Sequence, residues 1–151
     1  MAKEIERKFL IADDSWKKYV IKSEKYIQAY ISHRPDGIVR LRMSNDKAYL
    51  TVKGRTTGIE RHEWEYELPF SDAMEMLHAG VCEGGYIEKT RHIIDYRGHT
   101  WEVDEFHGRH EGLLLAEIEL SSPKTEIDLP PFIGREVSHD PHYFNSNLNK
   151  L

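Results

Sequence analysis

The chain has 151 residues, of which 39% are hydrophobic and 31% are charged, with a formal net charge of −5. This composition is too apolar for a disordered protein and too charged for a membrane-embedded one, and the length suits a single domain covering residues 1–151. The negative charge disfavours a nucleic-acid partner. Charges are spread over residues 3–14 and no apolar run reaches transmembrane length, so we expect a cytoplasmic protein without membrane contact.

Hydrophobic and polar residues alternate with a period of two in eight segments, which turn residues separate from one another. Such alternation is typical of antiparallel strands with one apolar and one polar face. The predicted strands are, in chain order, residues 3–12, 25–33, 38–44, 48–54, 61–68, 86–95, 100–106 and 113–120. The sequence therefore predicts a mainly β (α+β) fold.

Three short helices are predicted around these strands. Residues 15–22 form the first, and the second begins at Ser71, a good N-cap residue, and ends at Gly80. The third follows Asp140, which can cap it, with Pro141 in the first helical position. No internal repeat or linker interrupts the pattern, which agrees with one domain.

The polar faces of the predicted strands are sorted by charge. The basic positions are Arg40, Arg42, Lys53, Lys89 and Arg91, and the acidic pairs two residues apart are Glu4/Glu6, Glu63/Glu65, Glu102/Asp104 and Glu117/Glu119. Two carboxylates at this spacing share one strand face and repel each other when they are partly desolvated. An ordinary sheet would expose them to solvent. A closed eight-stranded antiparallel barrel would instead place them in a polar lumen, with the apolar faces outward under a few flanking helices.

A lumen with basic and acidic walls suits a particular kind of ligand. Converging cations fit a polyanion, most simply a phosphate chain, and paired carboxylates supply hard oxygen ligands for Mg²⁺ or Mn²⁺. The chain has no glycine-rich nucleotide loop, so side chains would have to hold the phosphates. One cysteine and scattered histidines lack the spacing of a zinc site. Trp64 and Trp101 fall on apolar strand faces, so we expect both in the core.

Seven motifs occur in the order that one protein family uses. They are Glu4-Ile5-Glu6-Arg7-Lys8, Arg40-Leu41-Arg42, Thr51-Val52-Lys53, Glu63-Trp64-Glu65, Glu88-Lys89-Thr90-Arg91, Glu102-Val103-Asp104 and Glu117-Ile118-Glu119. The first is an ExExK signature, and over nearly its whole length the chain resembles the CYTH superfamily, the triphosphate tunnel metalloenzymes. It looks most like the short bacterial members that are inorganic triphosphatases. The resemblance implies an eight-stranded antiparallel tunnel.

The resemblance also implies roles for individual positions. The divalent metal, Mg²⁺ or Mn²⁺, would bind to Glu4, Glu6 and Glu119, with Glu117 or Asp104 as helpers. The triphosphate would be cradled by Lys8, Arg40, Arg42, Lys53, Lys89 and Arg91. Glu63 and Glu65 would serve a second metal or orient water, and Lys89 would share in positioning, which makes these three the catalytic candidates. Residues 143–145 would close or line one tunnel end.

The implied reaction is metal-dependent hydrolysis of a small-molecule triphosphate, first of all inorganic tripolyphosphate to pyrophosphate and phosphate. Class IV adenylate cyclase and thiamine triphosphatase use the same walls, although cyclases often carry a His-Phe pair where this chain has residues 1–3. RNA triphosphatase is disfavoured because no basic aromatic surface accompanies the motifs. A polyphosphate-binding module without catalysis stays open, but it would gain nothing from the carboxylate pairs. A homodimer is also left open.

Overall fold

This computed structural model describes residues 3–148. This part of the chain contains nine strands and two α-helices. The strands are β1 (Lys3–Ile11), β2 (Val20–Arg34), β3 (Gly37–Ser44), β4 (Lys47–Lys53), β5 (Glu60–Leu68), β6 (Glu83–Tyr96), β7 (His99–Phe106), β8 (Leu114–Glu119) and β9 (Ile133–Glu136). The helices are α1 (Phe70–His78) and α2 (Asn145–Leu148), with 3₁₀ turns at Asp14–Tyr19, Gly108–His110 and Pro141–Tyr143. Within this range no helix has the length and apolar character needed to cross a membrane.

The strands form one antiparallel sheet in the order β5-β4-β3-β2-β6-β7-β8-β1-β9. A further pairing between β1 and β5, with Glu4 opposite Arg61, joins the two sides of the sheet and closes eight strands into a barrel. The ninth strand pairs along the far half of β1, with Phe9 opposite Glu136, and lies outside the barrel. The predicted eight-stranded antiparallel barrel is confirmed, and β9 is an addition that the alternation did not predict.

The register brings the predicted polar faces together. Directly opposed residues of neighbouring strands point to the same side of the sheet. Glu6 lies opposite Glu119, Lys53 opposite Glu63 and Arg91 opposite Asp104, each in a ladder that continues along its strand pair. The lumen therefore carries the charges, as the sorting of the strand faces predicted.

The apolar faces point outward and are covered from two sides. Trp16 of the first 3₁₀ turn and Phe132 of the loop before β9 pack with Phe9 and Trp101 in one buried cluster. On the other side, Ala73 of α1 packs against buried residues of β3 and β4, including Leu41. Full burial of a large apolar side chain contributes about 1.5–3 kcal/mol, so these outer layers stabilise the barrel while its interior stays polar.

A third apolar cluster fills one end of the barrel. Its buried residues lie on the inward faces of five strands and in the segment after β9. They are Tyr30, Ile38, Ile87, Phe106, Leu115, Val137 and Leu148. Phe106 lies opposite Lys89 in the β6–β7 ladder, so the apolar end begins directly beside the charged lumen. The tunnel is consequently closed on this side by side chains and by the C-terminal segment.

The starts of two elements differ from the sequence prediction. The helix α1 begins at Phe70 with Pro69 in the cap position and no capping side chain, so the prediction that Ser71 caps it is wrong. Pro69 has φ −56° and ψ 135°, and its carbonyl oxygen accepts a hydrogen bond from Ala73 N at 3.2 Å, so the first turn closes without a capping side chain. The predicted helix over residues 15–22 is shorter, because Val20 already pairs with β6 as the first residue of β2.

The two tryptophans expected in the core have different surroundings. Trp101 is fully buried in the outer cluster, as predicted. Trp64 is only half-buried and stacks on His62 with the ring centroids 5.8 Å apart, so its predicted core position is wrong. On the same face of β5, Leu68 packs against the cluster under α1, whereas Tyr66 is 62% exposed.

Candidate functional site

A cavity of about 240 Å³ occupies the lumen. Its lining includes all of the predicted site residues except Asp104, namely Glu4, Glu6, Lys8, Arg40, Arg42, Lys53, Glu63, Glu65, Lys89, Arg91, Glu117 and Glu119. These residues come from six barrel strands and converge because their side chains lie on the inward-facing side of each strand. The structure thus brings the predicted site together, with Asp104 behind its wall.

Asp104 is buried behind two of the cations. Its carboxylate accepts two hydrogen bonds from Arg91, at 2.8 and 2.9 Å, and its Oδ2 lies 2.7 Å from Lys89 Nζ. Although burial opposes it, the charges of Arg91 and Lys89 hold the pKa of Asp104 well below its usual range. Both oxygens are engaged and the residue does not line the cavity, so this geometry favours a role in holding the two cations over direct metal ligation.

Lys89 is the most deeply buried cation of the site, with a side chain that is 1% exposed. Burial, together with the charges of Arg91 and Arg42, lowers the pKa of Lys89 to about 7 against the opposing charge of Asp104. An anion placed beside Lys89 would favour the charged form. The electrostatics of this end of the lumen are therefore suited to receiving negative charge.

Glu117 is also surrounded by cations. Its oxygens lie 3.4 Å from Lys8 Nζ and 3.7 Å from Arg91 Nη2. Burial alone would raise the pKa of Glu117, but the charges of Lys8 and Arg91 lower it to about 2. We call Asp104 and Glu117 the ion-paired acids.

The remaining lumen acids of β1 and β8, Glu4, Glu6 and Glu119, form what we call the acidic cluster. Burial raises the pKa of all three, and repulsion from neighbouring carboxylates raises it further, most strongly for Glu6. Lys53 Nζ lies 3.3 Å from Glu4, and its charge opposes the shift there without cancelling it. These carboxylates therefore repel one another, and the cations near them do not fully compensate their negative charge.

Such a donor set fits a hard divalent cation. Carboxylate oxygens are the preferred ligands of Mg²⁺ and Mn²⁺, and a bound cation would remove the repulsion that raises these pKa values. Among residues 3–148, no three His, Cys, Asp or Glu side chains are already arranged as a metal site. A divalent cation that binds at the acidic cluster would accordingly draw together carboxylates that are farther apart in this structure.

The wall formed by β3, β4 and β5 carries alternating charges. Glu63 Oε2 lies 3.1 Å from Lys53 Nζ, and Glu65 Oε2 lies 3.6 Å from Arg40 Nη2. Burial alone would raise the pKa of Glu63, but a hydrogen bond from Glu4 and the charge of Lys53 lower it. The Nε of Arg40 is buried without a hydrogen-bond partner among the described residues, which leaves a donor for an anion in the lumen.

Exposure of the side chains shows which end of the lumen is open. Lys89 and Asp104 are each 1% exposed, whereas Glu65 is 40% exposed. At the closed end Lys8 Nζ donates to the Tyr143 carbonyl oxygen at 3.1 Å and Lys89 Nζ donates to Asn145 Oδ1 at 2.8 Å. The C-terminal segment thus lines the closed end, where the resemblance had placed residues 143–145.

The site also has inward-facing residues outside the seven motifs, among them Arg61 and Gln28. Arg61 lines the cavity, and its Nε lies 3.9 Å from Glu4 Oε1. Gln28 is fully buried and accepts a hydrogen bond from Arg42 Nε at 3.2 Å. Strand parity was the available signal, because Arg61 shares a face with Glu63 in the alternation, but polar strand residues are too common for parity alone to single them out.

Comparison with known proteins gives a consistent result. A curated inorganic triphosphatase from Acetivibrio thermocellus is 51% identical over 150 residues, which cover 99% of this chain and 95% of that protein. An inorganic triphosphatase from Nitrosomonas europaea is 34% identical over 151 residues, covering 96% of this chain and 95% of that protein.

Solved structures share the fold. The crystal structure of the inorganic triphosphatase NE1496 has a TM-score of 0.68 and 29% identity, over 100% of this chain and 97% of that one. A Hippeastrum protein described as an adenylyl cyclase with a dominant triphosphatase activity has a TM-score of 0.60 over 82% and 81% of the two chains, and at 14% identity it supports the fold alone. A family model for the CYTH domain matches residues 2–149. The charged barrel, the motifs along its strands and this match together show that the chain belongs to the CYTH domain family.

Proposed function

We propose that this protein hydrolyses inorganic tripolyphosphate to pyrophosphate and phosphate, using Mg²⁺ or Mn²⁺. The observation that carries the proposal is a small closed-ended cavity in which seven cations, Arg61 among them, face an acidic cluster with raised pKa values. Cations of this density suit a phosphate chain, and the acidic cluster suits the metal that would accompany it. The two curated relatives, which are inorganic triphosphatases, support the same reaction.

The cations of the lumen would bind and orient the phosphate chain. Lys8, Arg40, Arg42, Lys53, Lys89 and Arg91 line the cavity, and charge-assisted hydrogen bonds from them would hold the phosphates in one orientation. Because these donors are already fixed by Asp104, Glu117 and the β3–β5 wall, little reorganisation would accompany charge development on the leaving oxygens.

The acids would have separate tasks. Glu4, Glu6 and Glu119, with Glu117 beside them, would hold the divalent cation. The bound cation would neutralise phosphate charge and lower the pKa of a coordinated water. Glu63 and Glu65 keep Lys53 and Arg40 in place and are the candidates for orienting the attacking water or for a second cation.

Two features favour an inorganic chain over an organic triphosphate. The cavity of about 240 Å³ is below the range of about 300–1,000 Å³ that drug-sized organic ligands occupy. Thiamine would require an aromatic clamp at the entrance, and Trp64 lies on the outer face of β5 instead. A cytoplasmic location and the absence of a nucleic-acid partner remain predictions of this proposal.

The test is phosphate release from tripolyphosphate, with ATP and thiamine triphosphate in parallel, a cyclic AMP assay on the ATP sample, and EDTA as the metal-free control. We expect release from tripolyphosphate well above release from ATP, and none with EDTA. Cyclic AMP with pyrophosphate would show a cyclase on the same barrel. Binding of tripolyphosphate without turnover of any substrate would show a binding module and overturn the proposal.

A further inference from the structure

Two side-chain amides lie between cations of the lumen. Asn145 Oδ1 accepts hydrogen bonds from Lys89 Nζ at 2.8 Å and from Gln28 Nε2 at 2.9 Å. The Oε1 of Gln28 in turn accepts from Arg42 Nε at 3.2 Å, and its Nε2 also lies 3.2 Å from the Tyr30 hydroxyl. A continuous chain of hydrogen bonds thus runs from Arg42 through both amides to Lys89.

Each amide restricts the cation that it contacts. An ammonium group has three N–H donors, and Asp104 and Asn145 take two of those of Lys89, which directs the third away from both. Gln28 accepts a hydrogen bond from the Nε–H of Arg42. The terminal N–H groups of the Arg42 guanidinium do not bond to Gln28. Among residues 3–148, the other donors of both cations have no hydrogen-bond partner and are therefore available to the cavity that both residues line.

The neutral charge of the amides matters for a site that receives an anion. A carboxylate in either place would hold the same cation but would cancel its charge, as the Asp104 carboxylate does at 2.7 Å from Lys89 Nζ. An amide oxygen fixes the direction of the cation and leaves its net charge in place. Gln28 is fully buried, so water cannot replace it as the partner of Arg42 without rearrangement of the wall.

We propose that Gln28 and Asn145 are positioning residues that orient Arg42 and Lys89 toward the phosphate chain, an inference that rests on the proposed function above. Asn145 lies in the short helix α2 beyond the barrel, whereas Gln28 lies within β2. Docking of the C-terminal segment consequently completes the orientation of Lys89 as well as closing the tunnel.

The experiment compares Gln28→Ala, Asn145→Ala and the double variant with the wild type in tripolyphosphate hydrolysis, and measures binding of tripolyphosphate by calorimetry with EDTA present. Hydrogen bonds to charged groups are the stronger class, so we expect each single change to raise KM and Kd about tenfold, with a smaller change in kcat. Because both residues belong to one hydrogen-bond chain, the double variant is expected to fall short of the product of the single effects.

Two further variants separate positioning from folding. Asn147→Ala is the matched control, since Asn147 lies in the same helix but donates to the Pro141 carbonyl at an exposed position, and it is expected to leave KM and Kd unchanged. Asn145→Asp keeps the shape of the side chain and adds a negative charge, so it is expected to weaken tripolyphosphate binding more than Asn145→Ala does.

Unchanged KM and Kd in folded Gln28→Ala and Asn145→Ala protein would overturn the inference. A lowered unfolding midpoint with unchanged Kd would also overturn it, because that result indicates a structural role only. If the wild type binds tripolyphosphate without hydrolysing it, the proposed function fails. The calorimetric comparison of the variants then still decides the positioning role.

Discussion

The ion-paired acids and the acidic cluster occupy the same lumen, yet the two groups have opposite electrostatics. The pKa values of Asp104 and Glu117 lie below their usual range, while those of Glu4, Glu6 and Glu119 lie above it. Burial raises the pKa in every case, so burial does not account for the difference. The difference comes from the nearby charges. The charges of Arg91, Lys89 and Lys8 lower the pKa values of the first group, whereas repulsion from neighbouring carboxylates raises those of the second.

This contrast suggests different tasks for the two groups. The ion-paired acids hold lumen cations in place, whereas the acidic cluster has the electrostatics of a cation site. Removing the charge of an ion-paired acid should leave buried cations without partners, whereas removing a charge from the acidic cluster should relieve repulsion. The same chemical change, from a carboxylate to an amide, is therefore expected to have opposite effects on the stability of the metal-free protein in the two groups.

The largest effect is expected for Glu6→Gln. Loss of a central carboxylate of the acidic cluster should lower metal-dependent turnover by at least about a hundredfold, while the unfolding midpoint of the metal-free protein rises because repulsion is relieved. Phosphate release with Mg²⁺ and thermal unfolding with EDTA measure the two effects. The control is Glu67→Gln, an exposed carboxyl of the same type on β5 that does not line the cavity. Full activity of the Glu6 variant would remove Glu6 from the metal site.

Asp104→Asn tests the other group. Arg91 and Lys89 would lose their shared buried counter-charge, so the free energy of unfolding should fall by about 3–5 kcal/mol. Urea denaturation measures this, with Asp95→Asn as the matched control because Asp95 is an exposed carboxyl of the same β6–β7 hairpin. If the Asp104 variant is as stable as the wild type and instead loses metal affinity, Asp104 belongs with the acidic cluster.

Arg42→Ala should weaken substrate binding without loss of the fold. Arg42 stays charged at neutral pH, since burial and the neighbouring Arg40 and Arg91 lower its pKa only to about 10. Loss of a charge-assisted contact to phosphate, worth roughly 1.5–3 kcal/mol, should raise KM for tripolyphosphate at least about tenfold. Steady-state kinetics with exposed Lys47→Ala as the control measures the effect. Unchanged KM and kcat would place Arg42 away from the substrate.

The smallest effect concerns the pH dependence of stability. A carboxyl with a raised folded pKa contributes stability that is present below its unfolded pKa and is lost as pH rises through the folded value, which applies to Glu6. Glu117 has the opposite sign, and its contribution is lost only as pH falls from about 4.5 toward about 2. The metal-free wild type should therefore lose stability as pH rises above the ordinary glutamate value of 4.5, and Glu6→Gln should flatten that decline. Parallel declines in the two proteins would contradict the assignment.

Much of the barrel could be predicted because its information is local. Alternation of polar and apolar residues depends on the two-residue repeat of a strand, so Glu6 and Lys8 could be placed on one face from their spacing. The start of α1 could not, since Ser71 has the side chain of a good N-cap and yet the helix begins earlier, with Pro69 in the cap position. Trp64 and Trp101 both lie on the outer face of a strand, and only Trp101 is covered by other segments of the chain. Which segment covers a strand cannot be inferred from the alternation within that strand.

The sequence by itself determined the strands, the sorting of charge onto their inner faces and the family motifs, because each depends on spacing along the chain. Only the tertiary structure decided which of the acids lie within ion-pair distance of cations. The closure between β1 and β5 and the register of β6 with β7 place Asp104 against Arg91 and Lys89 and leave Glu6 beside Glu119. Likewise, Asn145 reaches Lys89 across 56 positions of the chain. Charge compensation depends on distance in space, so equal carboxylates at equal spacing acquire different roles when the barrel closes.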